Sequence, residues 1–189
     1  EIPLRLVGSE MCIRDRARTE SFEDSKLNKS GFNVLVNTRR NLEKYNIDKV
    51  YTSELKDATQ TADMLGYHDY TIDSRLNELD FGEYSGQLLE EINEHYEGVL
   101  KNEDDIFNVK YPGNESRNDI IKRVGEFLDE LVEKDENALC ISHSLTIKSA
   151  LFWILKNKSD WDSFWIENGS VTIFDIKDGK KLIKGVNIV

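Results

Sequence analysis

Three short stretches of the chain hold residue types that could do chemistry. The first is Ala138-Leu139-Cys140-Ile141-Ser142-His143-Ser144. An apolar run of strand length gives way there to a helix-period stretch, so His143 is expected at a strand-to-helix junction. A histidine at that place can offer a ring N–H to an anion, beside the unpaired N–H groups and positive dipole end of the helix. The second stretch runs from Val50 to Ala62 and puts Ser53 and Asp57 at a polar helix start. The third, Arg75-Leu76-Asn77-Glu78-Leu79-Asp80-Phe81-Gly82, is loop-like and holds two carboxylates. Loops over strand ends often supply acids and bases. Each stretch also has a plainer reading. His143 could simply cap a helix, Thr52 or Ser53 could cap another, and the acidic loop could be a solvated surface. His95 reads as a packing residue near an apolar stripe, and His68 as a turn residue.

The elements that must position these residues follow from periodicity. Phe32, Leu35, Val36, Leu42 and Tyr45 form a helix-period stripe, and Lys49 to Thr52 a short strand. Leu55 to Leu65 reads as a helix with Gly66 as its stop. Thr71 and Ile72 suggest a short strand, Leu88 to Val99 a helix, and Tyr111-Pro112-Gly113 a turn. Ile120 to Val132 is the cleanest amphipathic helix. Ala138 to Ser142 is a compact apolar strand, and Leu145 to Lys156 the next helix. Ser170 to Ile176 and Lys181 to Ile188 read as strands joined by a hairpin turn at Asp178-Gly179. Strands alternating with helices imply an α/β fold: a three-layer α/β/α sandwich with a mostly parallel sheet. In such a sheet ligands bind beyond the carboxyl ends of the strands.

Composition narrows the functional classes. The chain has 189 residues, 39% hydrophobic and 32% charged, which suits one soluble domain. Its formal charge of −11 argues against broad binding to nucleic acid or to an anionic membrane. A local basic pocket for a phosphorylated metabolite remains compatible with that charge. The apolar stretch around Leu145 to Leu155 includes Lys148 and is too short to span a bilayer. The start does not read as a signal peptide. The two cysteines, Cys12 and Cys140, have no metal-ligand spacing, and a reducing cytoplasm is the expected setting.

Taken together, in order and spacing, these segments resemble the histidine-phosphatase, or phosphoglycerate-mutase-like, superfamily. Leu27 to Gly31 resembles its first helix opening, and Ser53 to Ala62 its Ser-x-Leu-x-Arg-Ala-x-Gln-Thr-Ala helix start. Leu76 to Gly82 is similar to its Leu-Arg-Glu-x-x-x-Gly acid loop. Pro112-Gly113-Asn114-Glu115-Ser116 with Arg123 is similar to its Pro-Gly-Gly-Glu-Ser segment. Ser142-His143 resembles its second histidine motif, and Asn168-Gly169-Ser170 its closing strand entry. The resemblance implies a mechanism. A histidine in an N-terminal Arg-His-Gly motif attacks phosphorus, a second histidine and two arginines hold the phosphoryl oxygens, and a carboxyl group protonates the leaving oxygen. Covalent catalysis splits a hard transfer into two steps, and cationic donors stabilise charge spread over the equatorial oxygens. Carried over, Glu78 and His143 are the catalytic residues. Arg18, Ser53, Asp57, Arg75 and Ser144 would line the substrate, with no cofactor and no metal.

Departures from the pattern are as informative. Arg-His-Gly is absent before Gly31. Ala17-Arg18-Thr19-Glu20 resembles the residues immediately after that histidine, and Arg16 then stands at the nucleophile's position. Arginine stays protonated and cannot attack phosphorus. Residues 6–15 resemble a translated transposase adapter of the kind used in preparing sequencing libraries, with Met11 to Asp15 matching codon by codon. Residues 1–16 are therefore expected to be adapter-derived, and residues 17–189 to form a domain lacking its native first strand. Asp57 stands where the motif has arginine, with Lys56 and Arg75 as nearby cations that could compensate, and Ser144 replaces a glycine. The leading expectation is a phosphatase of a small phosphorylated metabolite in the intact parent, inactive in this chain. The alternatives are a non-catalytic phospho-ligand-binding domain, which Asp57 favours, and a mutase-type phosphotransferase. A generic nucleotide-binding protein is set aside because no Gly-rich phosphate loop follows any strand. The oligomeric state has no signal in the sequence.

Overall fold

The computed structural model describes residues 2–8, 29–84, 106–110 and 115–188, with backbone alone for 2–8, 29–32 and 84. The elements are β1 (Ile2–Gly8), α1 (Lys29–Leu42), β2 (Lys49–Thr52), α2 (Lys56–Leu65) and β3 (Thr71–Ile72). They continue with α3 (Arg117–Lys134), β4 (Ala138–Ser142), α4 (Ser144–Leu155), β5 (Val171–Lys177) and β6 (Lys180–Ile188). A 3₁₀ turn, Ser74–Leu76, leads into the acid loop. The helix expected at Leu88 to Val99 and the turn at Tyr111-Pro112-Gly113 lie outside the described residues.

One six-stranded sheet runs in the order β3-β2-β4-β1-β5-β6. Strands β1 to β4 pair in parallel, and the β5–β6 hairpin closes one side antiparallel to β1. Alternation along the strands builds the three layers, since successive side chains point to opposite faces. Val50, Leu139, Ile141, Val171 and Ile173 join Leu35, Leu42, Ala62 and Leu65 of α1 and α2. Tyr51, Ala138, Cys140, Phe174 and Ile176 join Val124, Phe127, Leu128, Leu131 and Leu151 of α3 and α4.

The helix ends are set locally. Gly66 stops α2 at φ 90°, the left-handed conformation that costs glycine nothing. Ser116 opens α3 with a capping box: its hydroxyl accepts the Asp119 N–H while the Asp119 carboxylate accepts the Ser116 N–H. Asp178 and Gly179 both hold positive φ, 51° and 71°, as a two-residue hairpin turn requires.

Residues 17–189 were expected to lack their native first strand, and Ile2–Gly8, within the segment expected to be adapter-derived, takes the central place in the sheet. Leu4 to Gly8 pair in register with Ala138 to Ser142 on one side, and Ile2 to Val7 with Ile176 to Val171 on the other. The physical reason is demand from the sheet: without a strand between them, β4 and β5 would bury unpaired N–H and C=O groups. Residues 2–8 supply the backbone for both ladders.

Removing residues 1–8 should therefore cost several kcal/mol, and lower the thermal midpoint by about 10 °C or more for a domain of this size. A melt followed by circular dichroism checks this. An unchanged midpoint would show that β1 contributes nothing.

Candidate active site

The parallel register brings three strand ends level. Gly8 pairs with Ser142 and Thr52 with Ile141, so β1, β2 and β4 finish together. Ser53 and His143 are the next residues, and the Ser53 N–H is tied to the Ile141 carbonyl at 3.1 Å. His143 is the N-cap of α4 and is 2% exposed. Its Nε2 lies 2.7 Å from Ser53 Oγ, and its Nδ1 lies 3.2 Å from Asp57 Oδ2. Asp57, in the first turn of α2, is itself buried.

This chain of contacts constrains the protons. An ionised Asp57 only accepts, and His143 Nδ1 then carries the proton facing it. Ser53 Oγ accepts the Leu55 N–H at 3.2 Å, which leaves its own proton free to go to Nε2 when the ring is neutral. Both ring nitrogens are then engaged within the protein. A phosphoryl oxygen reaches Nε2 only by displacing the Ser53 hydroxyl.

Glu78 meets the same helix start. Its Oε2 accepts the Leu145 N–H at 3.2 Å and the Ser144 hydroxyl at 3.4 Å. Its Oε1 accepts the Leu79 N–H at 3.0 Å and contacts Thr146 Oγ1 at 3.4 Å. A carboxylate over the first turn of a helix is favoured by the dipole and the unpaired N–H groups. Glu78 and His143, 65 positions apart in sequence, thus stand at one end of α4.

Three sets of bonds hold the acid loop. Ser142 Oγ donates to the Leu76 carbonyl, and Thr146 Oγ1 to the Asn77 carbonyl, each at 2.6 Å. Asn77 and Glu54 exchange two hydrogen bonds, of 2.6 and 3.1 Å. Arg123 grips Glu115 with two nitrogens, at 2.6 and 2.9 Å, and donates to the carbonyls of Arg75 at 2.7 Å and Glu78 at 3.2 Å. Glu115 also accepts the Asp80 N–H at 3.3 Å.

Of the residues expected from the sequence, Glu78, His143, Ser53, Asp57 and Ser144 come together. Ser144 turns its hydroxyl to Glu78. Arg18 lies outside the described residues. Arg75 has partners of its own: its guanidinium pairs with Asp73 at 2.6 Å and Glu130 at 2.8 Å, and lies 5.0 Å over the Phe127 ring. Two carboxylates hold it against α3. Burial alone would raise the Asp73 pKa, but the Arg75 side-chain and backbone donors hold that carboxyl below its usual range. Sequence reasoning gave Arg123 and Glu115 no role. Their only signal was a place in a motif, since eight positions of separation do not show a loop lying between them. A cavity of about 300 Å³ lies further along α4, at Gly125, Asp129, Trp153 and Lys156, and touches none of these residues. Among the described residues no cluster could hold a metal ion, and no helix is long and apolar enough to cross a membrane.

Comparison with known proteins gives this geometry a lineage. The profile of the histidine phosphatase superfamily (branch 1) matches residues 12–189. The chain belongs to that superfamily. It is 37% identical over 113 residues to 6-phosphofructo-2-kinase/fructose-2,6-bisphosphatase 1 of Rattus norvegicus and of Homo sapiens. The match covers 59% of this chain and 24% of each relative, so the chain spans about a quarter of their length. Among solved structures, a phosphoserine phosphatase mutant from Entamoeba histolytica with phosphoserine bound aligns at TM-score 0.85 and 22% identity, covering 99% of this chain and 97% of that one. A mycobacterial glucosyl-3-phosphoglycerate phosphatase complexed with VO3 aligns at 0.83 and 21%, over all of both chains. The alpha-ribazole phosphatase of Shigella flexneri aligns at 0.83 and 20%, over 98% and 96%. At these identities the structures establish the fold, a phosphoglycerate-mutase-like α/β sandwich.

Arg123→Met should remove the grip on the acid loop and leave Glu115 half-buried without its cation. The expected loss is about 1–3 kcal/mol, below that of a fully buried pair, measured by urea unfolding. Faster hydrogen exchange at the Leu145 amide should accompany it, because Glu78 would no longer be held over that N–H. Arg123→Lys, with one charge and no fork, should fall between the two.

Proposed function

We propose that the intact parent of this chain is a phosphatase of a small phosphorylated metabolite working through a phosphohistidine, and that the chain as it stands is inactive. The observation that carries this reading is the meeting of Glu78 and His143 at the amino end of α4. A proton donor and a phosphoryl-oxygen donor share there a helix terminus that favours anions. In the proposed reaction a histidine following the first strand attacks phosphorus. The ester oxygen leaves with the proton of Glu78. Water then returns a proton to Glu78 as its hydroxyl attacks phosphorus, breaking the N–P bond and releasing phosphate and the free histidine. Arg16, at the sequence position of that nucleophile, supports inactivity.

Asp57 supports the second reading, a non-catalytic phospho-ligand-binding domain, because a carboxylate buried against His143 stands where the motif has arginine. A mutase-type transfer has no comparable observation behind it. The acidic surface argues against nucleic acid and anionic membranes as partners.

The chain as written should not turn over a generic aryl phosphate between about pH 5 and 8, where histidine changes charge. Turnover that disappears in His143→Ala would contradict this. Residues 1–16 can be replaced by an apolar strand ending in Arg-His joined to Ala17, with Asp57 kept or with Asp57→Arg. Turnover with Asp57 kept would show that the parent pocket tolerates the carboxylate, and the Asp57→Arg protein should form an acid-labile phosphohistidine and turn over. Glu78→Gln in it should lower kcat by about 100-fold or more, the usual contribution of a general acid. A failure to phosphorylate, with the fold intact, would favour the binding domain.

A further inference from the structure

Beside the acid loop two cations sit in places that electrostatics disfavours. Lys148 lies on α4 four residues after Ser144, on the same face and one turn further, about 5.4 Å along the axis. Its Nζ stands 5.0 Å from the centroid of the Trp161 ring. Arg117 is the first residue of α3, at the positive end of the helix dipole, where a cation is unfavourable. Its guanidinium lies 5.4 Å from the same Trp161 centroid and 5.7 Å from that of Phe107. Trp161 is 3% exposed and packs against the tilted Phe152 ring at 5.1 Å and edge-on against Phe107 at 5.5 Å, which holds this floor in place. Lys158 adds a third positive charge over Phe107 at 5.3 Å, with its Nζ held by Asn118.

Among the described residues no carboxylate forms an ion pair with Lys148 or Arg117. Burial pushes the Lys148 pKa down and Arg117 adds to the effect, opposed by Asp162, an exposed residue. Attraction to an aromatic face offsets part of such a cost; an anion offsets more. Both cations also grow from the elements that hold Glu78. Ser144 touches its carboxylate, and Glu115, two residues before Arg117, accepts from Asp80 and Arg123.

We propose that Lys148 and Arg117, seated on Trp161, bind a second anionic group of the substrate. The substrate is then a phosphomonoester that carries a carboxylate or another phosphate about one helical turn from the oxygen facing Glu78. This rests on the phosphatase reading of the Glu78–His143 site.

The test is a titration of the full chain, followed at the Leu145 amide and the Trp161 indole N–H by NMR, the latter assigned with Trp161→Phe. The probes are 3-phosphoglycerate, 1,3-propanediol bisphosphate and glycerol 3-phosphate. The first two should move both signals and bind at least about ten-fold more tightly than the third, the ratio one charge-assisted contact supplies. Whichever of the two binds more tightly identifies the second group. In the Lys148→Met, Arg117→Met double variant, which keeps apolar contact with the ring, the preference should vanish. In Lys148→Arg it should persist. Equal binding of all three probes by the unaltered chain, or a preference that survives in the double variant, overturns the second-anion site while leaving the phosphate site standing. A Trp161 signal that moves without Leu145 shows two unconnected sites and also overturns it. No response at Leu145 to any probe overturns this inference, while the phosphatase reading stands or falls with the repaired protein.

Discussion

The contact on which the rest of the site depends is the buried pair of His143 and Asp57, continued to Ser53. Burying an imidazole and a carboxylate is costly unless each finds partners. Here the partners come from two different parallel strands and the helices after them, so the level ends of β2 and β4 are a condition of the pair. The contact also sets the chemistry. A histidine held at both ring nitrogens presents neither to a ligand until one of these contacts is broken.

The acid loop is the second half of the same construction. Residues 75 to 80 receive bonds from β4, α4 and α3, and from Glu54 beyond β2. Glu78 is therefore fixed by the packing of two helices of one layer and does not depend on its own local conformation. Arg123 and Glu115 convert the position of α3 into the position of a proton donor. Lys148 and Arg117, on the same two helices, extend that arrangement outward.

Much of the fold could be read from the sequence because its signals are local. The strands Lys49–Thr52 and Ala138–Ser142 fall where the apolar runs placed them. The stop at Gly66 and the hairpin at Asp178-Gly179 follow from turn chemistry. Helix ends moved by a few residues, as with α3, which begins at Arg117 under its capping box although the apolar stripe begins at Ile120. The site was legible where a motif named a residue type at a strand end: His143, Ser53, Asp57 and Glu78. Long-range competition for partners was not. Arg75 was read as a substrate contact, with nothing in the sequence to show its pairing with Asp73 and Glu130, and Arg123 stood only as part of a motif, with nothing to show the loop it holds. That residues 2–8 occupy the central strand was likewise not legible, since a sheet's need for a central strand is not written in the segment that meets it.

The claim that Asp57 governs His143 is tested most directly by nitrogen-15 NMR of the His143 ring in the full chain at neutral pH. The account predicts a proton on Nδ1, hydrogen-bonded to Asp57, with its signal displaced in Asp57→Asn. A neutral ring carrying its proton on Nε2 alone, indifferent to Asp57→Asn, would contradict it.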